Sequence, residues 1–361
     1  MIIMRVCVIG TRGFPNIEGG VEKHCESLYP LLNRNIEVVV FRRRPFIESN
    51  NTYENTKFID LPSTKIKGVE ALIHSFLATI CSIFLRPDII HYHNIGPAIF
   101  APLARLFHIR VILTYHSPNY EHEKWGAAAK KMLLCAEKVS LKFADKVIFV
   151  NKYQMLKYSP EIACRSIFMP NGIQKPIFSQ KIDYLERISV QQKKYILGVG
   201  RVTPEKGFDT LIKAYNTFGL VDYKLVIAGS YEREKSYKMQ LDEMTDKKDV
   251  IFTGYVYGEE LAQLYTNAAL FVIASNNEGF PMVLLEAMSY QLAILASDIP
   301  ATHMVRLEDN VYFKKGDYIE LGKKIENKLK HCTSALYDMT EYSWNDIASR
   351  VGDIYSQVLS N

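Results

Sequence analysis

The chain has 361 residues, 48% of them hydrophobic, a length and composition that suit two domains with separate cores. The formal net charge of +5, with no run of five like charges, is too small to indicate nucleic-acid binding. The 6 cysteines are scattered and form no C-x-x-C pair, which argues against zinc and thioredoxin-like sites and favours free thiols in a reducing cytosol.

In the first half of the chain, short apolar runs alternate with longer stretches of helical periodicity. These patterns predict strands at 5–9, 36–41, 88–91, 111–115 and 146–150, and helices at 20–32 and 130–143. Residues 69–85 are almost wholly apolar, but the segment is short for a membrane span and contains Glu70 and His74. We therefore predict a packed helix there.

A polar, irregular segment at 174–193 is the candidate linker to a second half of the same kind. The predicted strands are 195–199, 225–228, 250–252, 270–273 and 293–296, and the predicted helices are 208–218, 259–266, 283–290 and, at the end of the chain, 344–359. Such alternation is typical of α/β folds with parallel sheets. We expect two Rossmann-like domains facing a central cleft, with ligands at the carboxyl ends of the strands.

Two carboxylates flank a Gly-x-Pro turn in the second half. Glu278 precedes the turn, and Glu286 lies inside the apolar run that follows. Pro281 suits the first turn of a helix, where its missing N–H costs no hydrogen bond. The free N–H groups of that turn can bind an anion or sugar hydroxyls, and each carboxylate can accept hydroxyl protons. The spacing is equally compatible with two solvated glutamates.

Glycine-rich loops follow the first predicted strand of each half. The loop at 198–207 combines glycines with Arg201 and Lys206, which supply fixed positive charge for a diphosphate, although the Walker spacing is absent. The first-half loop lacks G-x-G-x-x-G, so a nicotinamide cofactor is poorly supported. Gly19 and Gly20 can present N–H groups to phosphate or to an acceptor sugar. Ordinary flexible loops are the alternative in both places.

His91, His93 and His116 fall at or just beyond predicted strand ends. No carboxylate or cysteine is placed to complete a metal site with them, and the chain contains no D-x-D pair that could hold a divalent cation. We therefore predict no metal. His116 is the best placed to enter the cleft, although a lone histidine is more often structural.

Taken together, these motifs resemble the retaining GT-B glycosyltransferases of family 4. The second half carries the most specific marks, in residues 198–207, 252–255 and 278–288. The first half resembles bacterial rhamnosyltransferases of surface-polysaccharide pathways. The resemblance implies an acceptor-binding domain at 1–175, to which a tail helix at 342–361 returns, and a donor-binding domain at 190–341.

The resemblance also implies a role for each motif residue. His116 and Glu278 would lie at the reacting sugar as the catalytic candidates. The other implied contacts are Arg201, Lys206, Gly19 and Gly20 for the diphosphate, Glu286 for the ribose, Gly254 and Tyr255 for the base, and Gly279, Phe280, Pro281 and Met282 for the donor sugar. Pro281 departs from the small residue common in the family and removes one backbone N–H.

By the same resemblance, the protein is a metal-independent hexosyltransferase without a cofactor. It would move a sugar, rhamnose in this subgroup, from a dTDP- or UDP-linked donor to a saccharide or undecaprenyl-linked acceptor, with retention, in capsule, O-antigen or exopolysaccharide synthesis. We expect it in the cytoplasm, at the inner face of the cell membrane. One helical segment combines lysines with large apolar residues and fits a peripheral amphipathic helix; a solvated helix with a core stripe is the alternative. Its residues are Lys124, Lys130, Lys131, Lys138 and Lys142, with Trp125, Met132, Leu133 and Leu134.

Two other functions remain open on the sequence alone. A GT-B-fold epimerase of nucleotide sugars would also bind a diphosphate, but it would convert the donor without any acceptor. A non-catalytic GT-B subunit that binds a partner transferase would tolerate the loss of Lys206.

Overall fold

The computed structural model describes residues 4–17, 19–47, 52–64, 66, 69–118, 120, 126–220, 222–231, 235–245, 249–331 and 335–360. The chain divides into two compact units. The first unit comprises Met1–Gln174 and Glu341–Asn361, and the second comprises Lys175–Thr340. Each unit is a parallel sheet with helices.

The helices and strands are numbered in chain order. The strands are β1 (Met4–Ile9), β2 (Ile36–Arg43), β3 (Thr56–Leu61), β4 (Ile89–His93), β5 (Arg110–Tyr115), β6 (Lys146–Phe149), β7 (Ser166–Phe168), β8 (Tyr195–Val199), β9 (Lys224–Ala228), β10 (Val250–Gly254), β11 (Leu270–Ile273), β12 (Ile294–Asp298) and β13 (Tyr312–Lys314). The helices are α1 (Gly20–Leu28), α2 (Val69–Leu85), α3 (Ala101–Leu106), α4 (Ala127–Phe143), α5 (Lys152–Met155), α6 (Pro160–Ala163), α7 (Asp183–Arg187), α8 (Phe208–Thr217), α9 (Lys235–Glu243), α10 (Gly258–Asn267), α11 (Met282–Ser289), α12 (Tyr318–Lys330) and α13 (Trp344–Ser360).

The first unit has a seven-stranded sheet in the order β3-β2-β1-β4-β5-β6-β7. Successive side chains of a strand point to opposite faces of the sheet, and β4 shows the consequence. Ile90 and Tyr92 join a core to which α2, α3 and α4 contribute. His91 and His93 point to the other face, where His91 meets Tyr355 of α13. The last helix therefore packs in the first unit, as predicted.

The second unit has a six-stranded sheet in the order β10-β9-β8-β11-β12-β13. This is the strand order of an open Rossmann sheet, in which the first strand lies at the centre. The apolar runs of β8, β9 and β11 are buried and form a core with α8, α9 and α12. The two parallel sheets confirm the predicted α/β class.

Several elements differ from the sequence prediction. Two edge strands, β3 and β13, were missed because β3 is interrupted by charged residues and only partly buried, and β13 is very short. Helix α12 was also missed, and α7 lies inside the predicted linker. Strand β4 extends to His93, so that His91 lies inside the strand rather than at its end.

Helix α2 forms where it was predicted, but its packing is the reverse of that of an ordinary surface helix. Its buried residues are His74, Ser75, Ala78, Thr79 and Ser82, whereas several of its large apolar side chains are exposed. No helix within the described ranges is both long enough and apolar enough to cross a bilayer.

Candidate functional site

In each unit most of the candidate residues lie where the strand order reverses. Strand β1 lies between β2 and β4, and β8 lies between β9 and β11. In open parallel sheets, the loops that leave the carboxyl ends of the strands at this point diverge and form a ligand-binding crevice. Both glycine-rich loops, the end of β4 and the segment with Glu278 are at such positions.

The second unit brings a lysine and a glutamate together across two of these loops. Lys206 Nζ lies 2.5 Å from Glu278 Oε1, and Ser275 Oγ donates to the same oxygen at 2.7 Å. The side chains of Lys206 and Glu278 are 19% and 10% exposed, so the pair is largely shielded from water. The ammonium group keeps further N–H donors that can bind an anion.

Backbone contacts hold these two loops against each other. Asn276 N donates to Glu205 O at 2.7 Å, and Asn276 Nδ2 donates to Pro204 O at 3.1 Å. Gly207 has a φ of 62°, and a Cβ there would lie 2.1 Å from Ala274 O. Only glycine combines this backbone angle with so close an approach. The main chain therefore fixes the two loops from which Lys206 and Glu278 meet.

Glu286 is buried in the second turn of α11. Tyr265 OH donates to Glu286 Oε2 at 2.7 Å, and the Tyr265 ring stacks on Tyr290 with 5.2 Å between centroids. Burial, and then the nearby Glu286 carboxylate, raise the pKa of Tyr265 well above its usual range. The phenol therefore remains a donor and fixes the orientation of the carboxylate.

The turn before α11 differs slightly from the prediction. The helix begins at Met282, so Pro281 occupies the N-cap position instead of the first turn. Pro281 makes no side-chain capping bond to this N-terminus, and the first N–H groups of a helix can bind an anion or a hydroxyl group. Gly279 and the buried Phe280 complete the turn that connects Glu278 to the helix.

Of the remaining candidates of the second unit, Arg201 lies in the same loop as Lys206, whereas Gly254 and Tyr255 lie at the end of β10. Arg201 is exposed just after β8. Gly254, with a φ of 75°, ends β10. Tyr255 is half exposed and stacks on Tyr257 with 5.7 Å between centroids. An exposed aromatic pair of this kind can pack against a flat ring such as a base. Arg201, Gly254 and Tyr255 do not take part in the direct contact between Lys206 and Glu278.

The first unit collects buried histidines at the ends of β4 and β5. His93 ends β4, His116 follows β5, and His24 comes from α1. One ring nitrogen of each of these three residues lies within 4.8 Å of the other two. Sequence reasoning singled out His93 and His116 but missed His24, which follows the Gly19-Gly20 pair by one turn of α1.

Hydrogen bonds link this cluster to the last helix of the chain. His93 Nδ1 and His116 Nε2 are 2.9 Å apart. The Tyr29 hydroxyl lies 2.5 Å from His93 Nε2 and 3.2 Å from His91 Nδ1, and Tyr355 OH lies 2.7 Å from that same His91 nitrogen. Since each neutral ring has one donor and one acceptor, the chain of bonds constrains which nitrogen of His116 carries the proton.

Burial makes these rings neutral near pH 7. It lowers the pKa of His24 to about 4 and that of His91 to about 3, and it holds the pKa values of His93 and His116 well below the usual range. His116 therefore cannot act as a resident cation. It can accept a proton or donate a single hydrogen bond.

The same chemistry defines the residues that could hold a metal. His24 Nδ1 lies 2.7 Å from Asn171 Oδ1, and no group in the described part of the chain bonds to its buried Nε2. A neutral imidazole whose outer nitrogen donates to a carbonyl is the usual form of a zinc ligand. However, His93 and His116 already share a hydrogen bond, which a metal would have to replace. The predicted absence of a metal stays a prediction.

Gly19 and Gly20 lie at the N-terminus of α1, where the N-cap residue Gly19 makes no side-chain capping bond. Gly19 has a φ of 150°, and a Cβ there would lie 2.0 Å from Glu22 Oε2. The buried Glu22 also accepts a hydrogen bond from Arg12 N at 3.0 Å. The Glu22 carboxylate therefore lies close to these glycines, and a phosphate bound there would be repelled by its negative charge.

Each half of the chain matches a known protein family. Residues 18–173 match the family described as Glycosyltransferase Family 4, and residues 185–343 match the family described as Glycosyl transferases group 1. An uncharacterized glycosyltransferase of Methanocaldococcus jannaschii is 25% identical over 98% of each chain. An amylovoran biosynthesis glycosyltransferase of Erwinia amylovora is 21% identical over 61% of this chain and 66% of its own length.

Solved structures resemble the chain over almost all of its length. Sucrose-phosphate synthase from Thermosynechococcus elongatus has a TM-score of 0.82 at 21% identity, with 99% of each chain covered. Anabaena HepE in complex with UDP-glucose has a TM-score of 0.73 at 16% identity, with 99% of this chain and 95% of that chain covered. At these identities the likeness shows the fold alone.

Proposed function

Because the chain is a glycosyltransferase of the group 1 and family 4 type with a GT-B fold, we propose that it transfers a sugar from a nucleoside diphosphate to a saccharide acceptor with retention of anomeric configuration. The second unit binds the donor in this proposal. The first unit binds the acceptor and supplies His116 beside the donor sugar. No metal or cofactor takes part.

The Lys206–Glu278 contact is the observation that carries this proposal. A cation fixed by backbone contacts and shielded from water stabilises a phosphate far better than a mobile surface lysine. In the free protein, Glu278 Oε1 accepts from Lys206 and Ser275. When a donor binds, its phosphate can contact the ammonium group, and its sugar hydroxyls can donate hydrogen bonds to the carboxylate. The pair can therefore exchange one internal ion pair for two contacts with the donor.

The proposed chemistry follows from where charge develops. The bond between the anomeric carbon and the phosphate oxygen breaks, the acceptor oxygen bonds to the same face of that carbon, and the departing phosphate takes the acceptor proton. Negative charge grows on the phosphate, where Lys206 and Arg201 oppose it. Glu278 binds hydroxyls, so the carboxylate-pair rule of glycosidases does not apply. Glu286, which is oriented by Tyr265, binds the ribose. The turn that begins at Gly279 binds the donor sugar beside the start of α11.

The donor and the acceptor belong to the proposal as well. We favour rhamnose on thymidine diphosphate, with uridine diphosphate sugars as the other group, since HepE is solved with UDP-glucose. The Erwinia amylovora relative, named for amylovoran biosynthesis, supports a saccharide acceptor in polysaccharide assembly. An undecaprenyl-linked acceptor would place the enzyme at the inner membrane face. Lys124 and Trp125, on which the predicted amphipathic helix partly rests, lie outside the described residues.

A thermal-shift screen of nucleoside diphosphate sugars tests the donor assignment. Ligands that bind only the folded protein raise its melting temperature, and at equal concentration the tighter ligand raises it more. We expect the largest shift from one donor, reduced in Lys206→Met and unchanged in Lys213→Met, an exposed lysine on α8. Equal small shifts for every compound would overturn the assignment. Conversion of the donor without any acceptor would instead identify an epimerase.

A further inference from the structure

Helix α2 presents its large apolar side chains to the solvent. Val69, Leu72, Ile73 and Phe76 are exposed, and their spacing of three, one and three positions puts them on one side of a helix. Phe84, near the end of the helix, is 82% exposed. An ordinary surface helix has this stripe against the core. An outward apolar stripe of this size marks a binding surface.

The opposite side of α2 is suited to close packing rather than to hydrophobic burial. Ser75 Oγ, Thr79 Oγ1 and Ser82 Oγ each donate to the carbonyl four positions earlier in the helix. Thr79 also meets Tyr92 OH of β4 at 2.9 Å. Each of these three hydroxyls therefore has a hydrogen-bond partner in its buried position. A rotation of the helix that buried Phe76 would break the Thr79–Tyr92 bond and would expose the serine and threonine side chains in place of the apolar ones.

The neighbouring helices extend the same surface. Helices α2, α3 and α4 all contribute to the core on one side of the first sheet, and α3 contacts both of the others. Leu106 and Phe107, at the end of α3, are exposed, as are Met132 and Leu134 on α4. We call the outward side of these three helices the α2–α4 face.

The charges on the α2–α4 face are of one sign. Lys131, Lys138 and Lys142 are exposed on α4. The acidic residues of the three helices are Glu70 and Glu137, and both are turned inward. Glu70 pairs with the buried Arg43 at 3.6 Å, and Glu137 accepts hydrogen bonds from Tyr115 and from Tyr158, the latter at 2.7 Å. The face therefore combines exposed apolar groups with cations.

We propose that the α2–α4 face binds a bilayer rich in anionic phospholipids, with the α2 stripe among the acyl chains and the α4 lysines at the headgroups. Exposed apolar side chains together with lysines are typical of protein surfaces that bind at a membrane interface, and the α4 lysines complement the negative surface of such a bilayer. A partner protein or a second copy would not require charges of a single sign beside the stripe. The inference rests on the proposed function, because a lipid-linked acceptor requires an enzyme at the membrane.

Co-sedimentation of the full chain with vesicles tests this inference. The probes are vesicles of phosphatidylcholine alone and of equal parts phosphatidylcholine and phosphatidylglycerol. We expect binding to the anionic vesicles only. Ile73→Ser with Phe76→Ser should weaken the binding by about tenfold or more, because two apolar anchors are lost. The control is Met239→Ser with Leu336→Ser, two exposed apolar residues of the second unit, which should bind like the unchanged protein.

The lysines are tested by a charge-matched pair of variants. Lys131→Gln with Lys138→Gln should weaken binding by roughly fivefold for each lysine. Lys323→Gln with Lys330→Gln removes the same charge from exposed positions on α12 and should change binding far less. Equal losses in both pairs would show only a response to net charge and would overturn the assignment of the face.

Two further results would also overturn it. One is a protein that stays in the supernatant with both kinds of vesicle. The other is a dimer in light scattering that Ile73→Ser with Phe76→Ser converts to a monomer, since a second copy would then cover the stripe. The thermal shift by the donor is recorded on the same preparations. If the shift persists while vesicle binding fails, only the membrane inference is wrong; if the shift is absent, the donor-binding proposal is wrong.

Discussion

The first unit has buried, neutral imidazoles and phenols at the point where its strand order reverses. The second unit has a lysine and a glutamate on loops at the corresponding point. His93 and His116 are bonded to each other and reach α13 through Tyr29 and His91. Lys206 and Glu278 are bonded to each other but remain partly exposed. The same strand arrangement therefore supports a neutral site in one unit and a charged site in the other.

The difference follows from what surrounds each set of side chains. The histidines lie on or next to strands and are covered by α1 and α13, so that desolvation keeps them uncharged. The lysine and glutamate lie on loops, where each charge has an opposite partner and some access to water. A neutral site can position a proton near a reacting sugar, and a charged site can hold a diphosphate. Because of this contrast, experiments can distinguish the contributions of the two units.

The largest expected effect is a loss of stability in acid, concentrated in the first unit. A buried histidine with a lowered folded pKa stabilises the protein fully above the unfolded pKa of about 6.5, and this contribution is lost as the pH falls below that value. With a folded pKa of about 4, as for His24 or His74, one histidine accounts for about 2 kcal/mol between pH 7 and 5. Several act together, so we expect at least about 4 kcal/mol.

Denaturant unfolding and peptide-resolved hydrogen exchange between pH 7 and 5 measure this loss. His74→Leu should reduce the slope of stability against pH by about one proton. Met239→Leu, at an exposed position of the second unit, should leave the slope unchanged, because it removes no titratable group. Equal loss of hydrogen-exchange protection in the two units would contradict the expectation that the loss of stability in acid is concentrated in the first unit.

Removal of the fixed cation should have the next largest effect. Lys206→Met should lower kcat/KM for transfer by about 10²–10³-fold, which is the usual cost of losing one group that stabilises transition-state charge. Lys213→Met is the matched control, and steady-state kinetics with the donor found in the thermal-shift screen is the measurement. A loss of less than about threefold would remove Lys206 from the proposed mechanism.

Loss of the imidazole that orients His116 should be milder. His93→Leu removes the partner of His116 Nε2, and we expect kcat to fall by roughly tenfold with the donor KM unchanged, since misplacing a reacting group affects the chemical step. Thr79→Val, which alters a bond on the opposite side of the sheet, is the control. A raised donor KM with an unchanged kcat would mean that this cluster binds the donor instead.

The smallest effect is expected for the residue that orients Glu286. Tyr265→Phe removes one hydrogen bond to a buried carboxylate and should weaken donor binding by about fivefold. Tyr215→Phe removes a buried phenol that donates to a backbone carbonyl in the same unit, and it should not change donor affinity. Calorimetric titration of both variants with the donor gives the comparison. Identical donor affinities in the two variants would show that Glu286 does not contact the donor.

Much of this architecture could be predicted because it depends on short-range patterns. The apolar runs of β1, β2, β8 and β11 are so continuous that neighbouring residues alone indicate buried strands. The segment from Glu278 to Glu286 likewise predicts a turn and a helix from local residue types, with an error of one position at Pro281. Strand β3 was missed because an edge strand buries too little to leave a continuous apolar run.

The contacts that complete each site could not be read in this way. His91 and Tyr355 are 264 positions apart, and Lys206 and Glu278 are 72 apart, so that only the order of the strands brings them together. His24 belongs to a helix whose sequence shows no sign of a histidine cluster. The outward stripe of α2 has ordinary helical periodicity, and its exposure depends on which side meets the sheet.

The sequence by itself determined the alternation of strands and helices, the glycines and charged residues of the loops, and the resemblance to family 4 glycosyltransferases. These follow from residue types and spacings within a few turns or strands, which local sterics and hydrophobicity control. The tertiary structure alone decided that the first-unit histidines are neutral and that Lys206 meets Glu278. It also decided that α2 turns its apolar side outward. Burial and long-range contact arise only when distant segments pack together, and they set the charge and exposure of each group.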